Sequence, residues 1–573
     1  MVYGGKPSRG CGTCRARRIK CDEGKPTCQR CAKSKRECRG YRHEFDVVHR
    51  DQTNSTLRRV ARQETPNSNH HYHSHQQPRQ QRHQRYHHDC QSWQQQTSAS
   101  QPTPENALTV PLAQRASCYF ASNFILVPLS ATPHGFLDYL VPLVKSEPHG
   151  SSLLHAFNAC AFALLSNRTK ADTINLSQLS LKEHTLALAQ THKALSDPAT
   201  AAADATLATV LLLSLYETIT ARKESRMLAW RSHIDGAVNI VKTRGREMCK
   251  TKTGALLFGA VRHQIISRTL SSGIPIPFGS DWWMSAGYSS TILGTAQRFA
   301  LKCGELKNST DHILTTSHRS PEAIERVRKE AEEIRVLDHE IDNWLGSVPD
   351  EHRYRTVCCV WEDDPEVFPG RVDVYPDLVT ASAWNLARVT RLLLAAIYMR
   401  LTAWVCTPTM DYRDAPEYAV SRLICQRTIS DILASVPYHL GWHLNRRGLG
   451  VAASDVSGFA CGSGETRLKA LPGFFLIWSL TCVKNHDIAS PEQRAWVKER
   501  LTVISEQIGL KYAKVVNDVE LRFPSMMIHR NGMSQFIDPF YRSVAPEAPL
   551  RPEVVETPIT PKSMTSDKGS PSP

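Results

Sequence analysis

A chain of 573 residues carrying 70 Lys and Arg against 55 Asp and Glu has room for several domains, and its formal charge of +15 lies largely before residue 90. That local imbalance, a basic arm on a nearly balanced body, suits nucleic acid better than a basic enzyme surface. No apolar run approaches the length that spans a bilayer: Ala205 to Tyr216 and Leu471 to Val483 fit buried helices, so the reading is a soluble, intracellular chain with no membrane partner.

After a polar lead-in, residues 11–38 hold six cysteines, Cys11, Cys14, Cys21, Cys28, Cys31 and Cys38. They form two copies of one phrase, a pair with two residues between and a third cysteine seven positions on. One tetrahedral ion needs four thiolates, so six satisfy one ion with two left over, or two ions if two sulfurs are shared. The duplicated spacing favours one bridging sulfur from each half, and soft thiolates in a tetrahedral set select zinc. Two Zn²⁺ and six thiolates sum to minus two. Around them stand Arg9, Arg15, Arg17, Arg18, Lys20, Lys25, Arg30, Lys33, Lys35, Arg36 and Arg39, opposed only by Asp22, Glu23 and Glu37. The surplus leaves a basic surface for an external polyanion. Each close Cys pair is expected to open a short helix, whose N-terminal amides favour thiolate. Pro26 turns the chain between the halves. A disulfide framework of the same six cysteines belongs to a secreted chain, and no signal peptide opens this one.

Cys11-x2-Cys14-x6-Cys21-x6-Cys28-x2-Cys31-x6-Cys38, with Arg15-Ala16-Arg17-Arg18-Ile19-Lys20 and Lys25-Pro26-Thr27 inside it, resembles the fungal Zn2Cys6 binuclear-cluster transcription factors. The resemblance implies two zinc ions bridged by the first and fourth cysteines, here Cys11 and Cys28. It also implies a module that reads CGG triplets in the major groove of double-stranded DNA. In that family a base-contacting Lys stands four residues after the second cysteine; this chain has Arg18, which also pairs with guanine. Arg17, Arg18 and Lys20 are then expected at or near bases, and Arg9, Arg15, Lys25, Lys33 and Lys35 on phosphates. The run Arg15 to Lys20 doubles as a nuclear address, so the expected location is the nucleus.

Residues 39–62 are charged and without clear helical period. From Gln63 to about Glu105 the composition collapses to Gln, His, Arg, Ser and Pro, as in His70-His71-Tyr72-His73-Ser74-His75. Too little apolar surface offsets chain entropy there, and the tract is expected to be disordered; the whole tether of sixty-odd residues would span about 45 Å on average. No heptad run follows the zinc module, so nothing chooses between monomer, homodimer and heterodimer. The one usable heptad, Ile324, Val327, Ala331, Ile334, Ile341 and Leu345, is interrupted by Asp338 and reads as the face of a helix packed in a bundle.

From about Ala107 the periodicity predicts helices at 151–165, 179–195, 199–219, 227–244, 256–270, 286–303, 320–346, 377–403, 416–436, 468–484 and 491–514. The 199–219 helix is apolar all round and therefore central, and Gly245 ends the 227–244 helix. Long loops are expected near 347–376 and 437–466. Trp230, His233, Trp282 and Trp344 are taken as core residues. Ala229-Trp230-Arg231-Ser232-His233-Ile234-Asp235-Gly236-Ala237, Leu337 to Trp344 and Tyr375 to Trp384 resemble the regulatory domain that follows the zinc module in many fungal transcription factors, over roughly 115–540. The implied role is modulation of the DNA-binding head through an effector, a co-regulator or the transcription machinery.

The expected architecture is a Zn2Cys6 module at 1–42, a disordered basic Gln/His-rich linker at 43–106, an all-α regulatory domain at 107–545 and a disordered Pro/Ser/Thr-rich tail at 546–573. The leading function is zinc-dependent, sequence-specific regulation of RNA polymerase II transcription at CGG-type half-sites. An adaptor using zinc only for folding is the alternative. An enzyme in the helical domain is less favoured, because no phosphate loop, zinc-protease motif or nucleophile elbow stands in a credible setting.

Overall fold

The computed structural model describes residues 11–38 apart from 18 and 25–26. It also describes 110–530 apart from 128–134, 169–172, 222–225, 287–290, 361–363, 408 and 446–467. The expected disordered linker at 43–106 and tail at 546–573 lie outside the described residues. The chain divides into two compact units, Met1–Thr103 and Pro104–Pro573.

In the first unit, α1 (Gly12–Ala16) and α2 (Gln29–Lys33) each begin one residue after a cysteine. Apolar packing here is almost entirely sulfur: Cys11, Cys14, Cys28 and Cys31 are buried, with Cys21 and Cys38 packed against them. A unit this small cannot bury enough carbon to fold alone and relies on a staple.

The second unit is helical. It opens with α3 (Leu112–Phe124), α4 (Leu140–Ser146), α5 (Ser152–Arg168), α6 (Thr173–Ser196), α7 (Asp204–Thr220), α8 (Arg226–Arg244) and α9 (Lys252–Ser272). It continues through α10 (Ser280–Met284), α11 (Ile292–Thr316) and α12 (Pro321–Ser347) to a hairpin, β1 (Arg355–Val360) and β2 (Gly370–Val374). The chain closes with α13 (Leu378–Cys406), α14 (Pro416–His439), α15 (Ala470–Asn485), α16 (Pro491–Val503), α17 (Tyr512–Asp518) and α18 (Met527–Arg530).

Helix starts follow side-chain caps. The hydroxyls of Thr251, Thr291 and Ser320 accept from the amides of Gly254, Gly294 and Ala323, and the Asp377 carboxylate accepts from Thr380 N–H. Ser490 and Gln493 form a reciprocal capping box ahead of α16. Gly245 sits at φ 60° after α8, a left-handed stop that a side chain would resist. Every residue of α7 from Thr206 to Ile219 is buried, as its all-round apolar sequence requires.

Four features depart from the sequence reading. The expected 199–219 helix begins at Asp204, because Asp197 to Ala203 forms turns instead. Its 491–514 counterpart breaks at Gly509 (φ 89°) into α16, one π-turn and α17. Within the expected 347–376 loop, β1 and β2 pair antiparallel, with Arg355 opposite Val374 and an irregularity between Thr356 and Cys358. Val372 and Val374 of β2 pack into a satellite core with Tyr375, Trp384, Tyr438 and Trp442. Finally, α13 is long and apolar enough by length and composition to cross a membrane, contrary to the expectation that no run qualifies. It is a core helix, with 72% of its most apolar window buried.

The face of α12 that carries the broken heptad packs inward: Val327, Ile334 and Ile341 are buried. The interrupting Asp338 faces α13, where Arg391 Nε donates to it at 2.8 Å. Trp230, Trp282 and Trp344 are half-buried against the core rather than inside it, and Trp283 is the fully buried member of its pair.

Candidate metal centre and nucleic-acid interface

The two halves of the N-terminal unit repeat at an offset of 17 residues, and their backbones repeat the same contact. The Cys14 amide donates to Cys11 Sγ at 3.3 Å, and the Cys31 amide donates to Cys28 Sγ at 3.3 Å. These are the orphan N–H groups of a helix start, turned onto a thiolate. The amides of Cys11 and Glu23 donate to Cys21 Sγ, each at 3.4 Å.

The six sulfurs fall into two sets of four. Cys11, Cys14, Cys21 and Cys28 form one, and Cys11, Cys28, Cys31 and Cys38 the other, with all four atoms of each set within 4.8 Å of one another. Only Cys11 and Cys28 belong to both. Sulfurs at about 2.3 Å from a tetrahedral zinc stand about 3.8 Å apart. The corresponding separations are 3.7 Å for Cys11–Cys28, 3.7 Å for Cys14–Cys28 and 3.8 Å for Cys11–Cys31. The donor set and its spacing therefore fit two zinc ions bridged by Cys11 and Cys28. Without metal, burial pushes the Cys14 thiol up to about 12, so zinc loading must displace protons.

One residue counted in the sequence only as an opposing charge has a structural task. The Asp22 carboxylate accepts from the amides of Gln29 at 2.9 Å and Arg30 at 3.2 Å, capping α2 from the other half. These bonds, led by that from Gln29, hold its carboxyl below the usual carboxylate range. The matching tie on α1 is the Thr13 hydroxyl, which donates to Glu37 O at 2.9 Å. An Asp immediately after the third cysteine was the available signal for the Asp22 cap.

Arg17, Lys20, Arg30, Lys33, Lys35 and Arg36 are all exposed. Of the residues expected to contact DNA, Arg17 and Lys20 follow the end of α1, while Lys33 and Lys35 lie at and beyond the end of α2. Arg15 belongs to α1. Arg9, Arg18 and Lys25 lie outside the described residues.

This arrangement defines a class, a binuclear zinc cluster with a basic exterior and a separate helical body. The model described as the fungal Zn(2)-Cys(6) binuclear cluster domain matches residues 9–46, and that of the fungal specific transcription factor domain matches residues 117–353. The chain thus carries a fungal Zn(2)-Cys(6) binuclear cluster domain ahead of a fungal specific transcription factor domain, the domain pair of a DNA-binding transcription regulator with a two-zinc cluster. Transcription factor dbaG of Emericella nidulans is similar along most of the chain, 23% identical over 414 residues, which cover 70% of this chain and 90% of that protein. White-opaque regulator 2 of Candida albicans is 69% identical over 32 residues, covering 6% of this chain and 7% of that protein. Transcriptional regulatory protein moc3 of Schizosaccharomyces pombe is 69% identical over 32 residues, 6% of each chain. No solved structure matches.

Proposed function

We propose that the chain is a zinc-dependent, sequence-specific regulator of RNA polymerase II transcription that acts in the nucleus and reads CGG-type half-sites in the major groove. The observation that carries this reading is the pair of four-sulfur sets sharing Cys11 and Cys28 beneath an exposed basic surface. In it Arg17, Arg18 and Lys20 read bases, while Arg9, Arg15, Lys25, Lys33 and Lys35 hold phosphates and fix the register. The helical body regulates the head and meets co-regulators, and no catalytic residue is assigned.

Site selection on random duplexes with the full-length chain, with and without a zinc chelator, tests the reading. Selected sites should carry CGG-type triplets and vanish on chelation. Arg18→Ala should weaken the best site by about 1–3 kcal/mol, roughly 5- to 160-fold. Selection that survives chelation, or an Arg18→Ala chain that binds the best site as tightly as the unaltered one, refutes the assignment. A chain that keeps its zinc and binds no duplex is the adaptor instead.

A further inference from the structure

The helical body holds a cleft along α9 that DNA recognition leaves unused. Its first chamber, about 1060 Å³ including its open mouth, is lined by Leu211 and Leu215 of α7, by Leu137, and by Leu256 and Gly259 of α9. The second, about 940 Å³ measured the same way, is lined by Trp230, Ile266, Leu386, Ile477, Trp478 and Tyr512. Six residues line both: His263, Gln264, Leu293, Ser382, Phe474 and Phe475. The chambers therefore meet between α9, α13 and α15.

Three features set this cleft apart from a packing gap. First, the junction gathers three polar side chains without partners. Among the described residues, no protein hydrogen bond engages the His263 ring, the Gln264 amide or the Ser382 hydroxyl, and all three retain accessible surface toward the cleft. Burial holds the His263 imidazole down at about 4, so it is neutral, offering one donor and one acceptor nitrogen. Because these groups still reach the cleft, a ligand or water entering it can pair with them. Second, Gly259 occupies the interior of α9, where Ala is preferred by roughly 0.5–1 kcal/mol, yet a Cβ there would meet nothing within 4 Å. The helix leaves open space where a side chain would fit. Third, the cleft offers little free charge. Arg262 Nε donates to Gln297 Oε1 at 2.8 Å, and its Nη1 donates to Trp283 O and Ala286 O at 3.1 and 3.2 Å. Asp138, which also lines the first chamber, has its carboxyl pushed above the usual carboxylate range by burial, only partly offset by backbone amides and by Lys252, and this favours its neutral form.

We infer that this cleft is a binding site for an uncharged, predominantly apolar small molecule that spans both chambers and places one hydrogen-bonding group, a carbonyl or hydroxyl, against His263, Gln264 and Ser382. Apolar walls with a few convergent polar groups are the usual form of such sites. Phe474 and Phe475, with ring centroids 5.9 Å apart, offer aromatic surface where the chambers join. Among the described residues Ser382 and His263 share no hydrogen bond, which argues for binding rather than nucleophilic chemistry.

Nile red, an uncharged planar dye with a carbonyl acceptor, serves as the probe on the full-length zinc-loaded chain. The expected result is saturable one-to-one binding with a blue-shifted emission. Gly259→Phe, which fills the first chamber from α9, should weaken it tenfold or more, whereas Gly259→Ala should leave it within twofold. Ser382→Phe fills the junction from α13 and should act like Gly259→Phe, deciding the matter if either variant melts early. Binding should persist after zinc chelation, so it stands or falls independently of DNA recognition. Non-saturable binding, or equal affinity in folded Gly259→Phe and Ser382→Phe chains, overturns the inference.

Discussion

Sharing of Cys11 and Cys28 between the two four-sulfur sets makes an unequal prediction for single cysteine losses. Removing Cys38 leaves Cys11, Cys14, Cys21 and Cys28 intact around one ion and three sulfurs around the other. Removing Cys28 leaves three sulfurs around each. Structural zinc in small modules is worth about 10–16 kcal/mol, so one of four thiolates carries roughly 2.5–4 kcal/mol, or about 60- to 700-fold in affinity. Cys38→Ala should therefore hold one zinc at the native affinity and one weakened by that factor, while Cys28→Ala weakens both. Competition against a chromophoric chelator, counting equivalents released as the chelator is raised, reads the difference directly. Two variants that each lose the same single equivalent would refute the shared-sulfur arrangement.

Two further predictions concern the body. Lys484 is 5% exposed, and its ammonium donates to the carbonyls of Val516, Asn517 and Val519 at 2.9, 2.9 and 2.7 Å, where α17 ends. Lys484→Met should destabilise the body by about 2–4 kcal/mol, because a charged donor at a helix C-terminus is lost and buried carbonyls go unpaired; an unchanged denaturation midpoint refutes this. His439 and His443 are held at about 4 by burial, which favours their neutral forms. The unfolded chain binds protons first, so stability is complete above about pH 6.5 and falls as pH drops toward 4, by about 2 kcal/mol per histidine at pH 5. His443→Phe, which keeps the ring stacked on Tyr438, should flatten that acid slope, and an unchanged slope counts against it.

The zinc module was legible because its chemistry is written as spacing: six cysteines at a repeated interval admit few metal arrangements. Long helices were legible for a related reason. An all-round apolar stretch such as Thr206 to Ile219 must be buried, and Gly245 must end what precedes it. Illegible features are those decided by distant residues. The β2 strand is only five residues long, Gly370 to Val374, too short for a clear period, and gains its burial from Tyr438 and Trp442, more than sixty residues away in sequence. Asp338 looked like a defect in a heptad because its partner Arg391 lies on another helix. The cleft was invisible for the same reason, since its junction draws on α9, α13 and α15, and an unpaired Gln264 or Ser382 has no sequence signature.

The two units differ in what holds them together, and that difference has a measurable consequence. Among the described residues, the N-terminal unit has no apolar core besides the cysteines, so zinc binding there is folding energy. The body encloses an extensive apolar core that includes Trp283, Phe120, Phe124, Phe258 and Phe299, all fully buried. A chelator should therefore abolish DNA binding while leaving the body's melting temperature unchanged. It should barely alter the far-ultraviolet circular dichroism, because α1 and α2 contribute five residues each. A large loss of helix signal on chelation would mean that the body, too, depends on the metal. A chain that melts normally yet no longer binds DNA would instead locate recognition in the zinc-folded arm and leave the helical body free to hold its ligand.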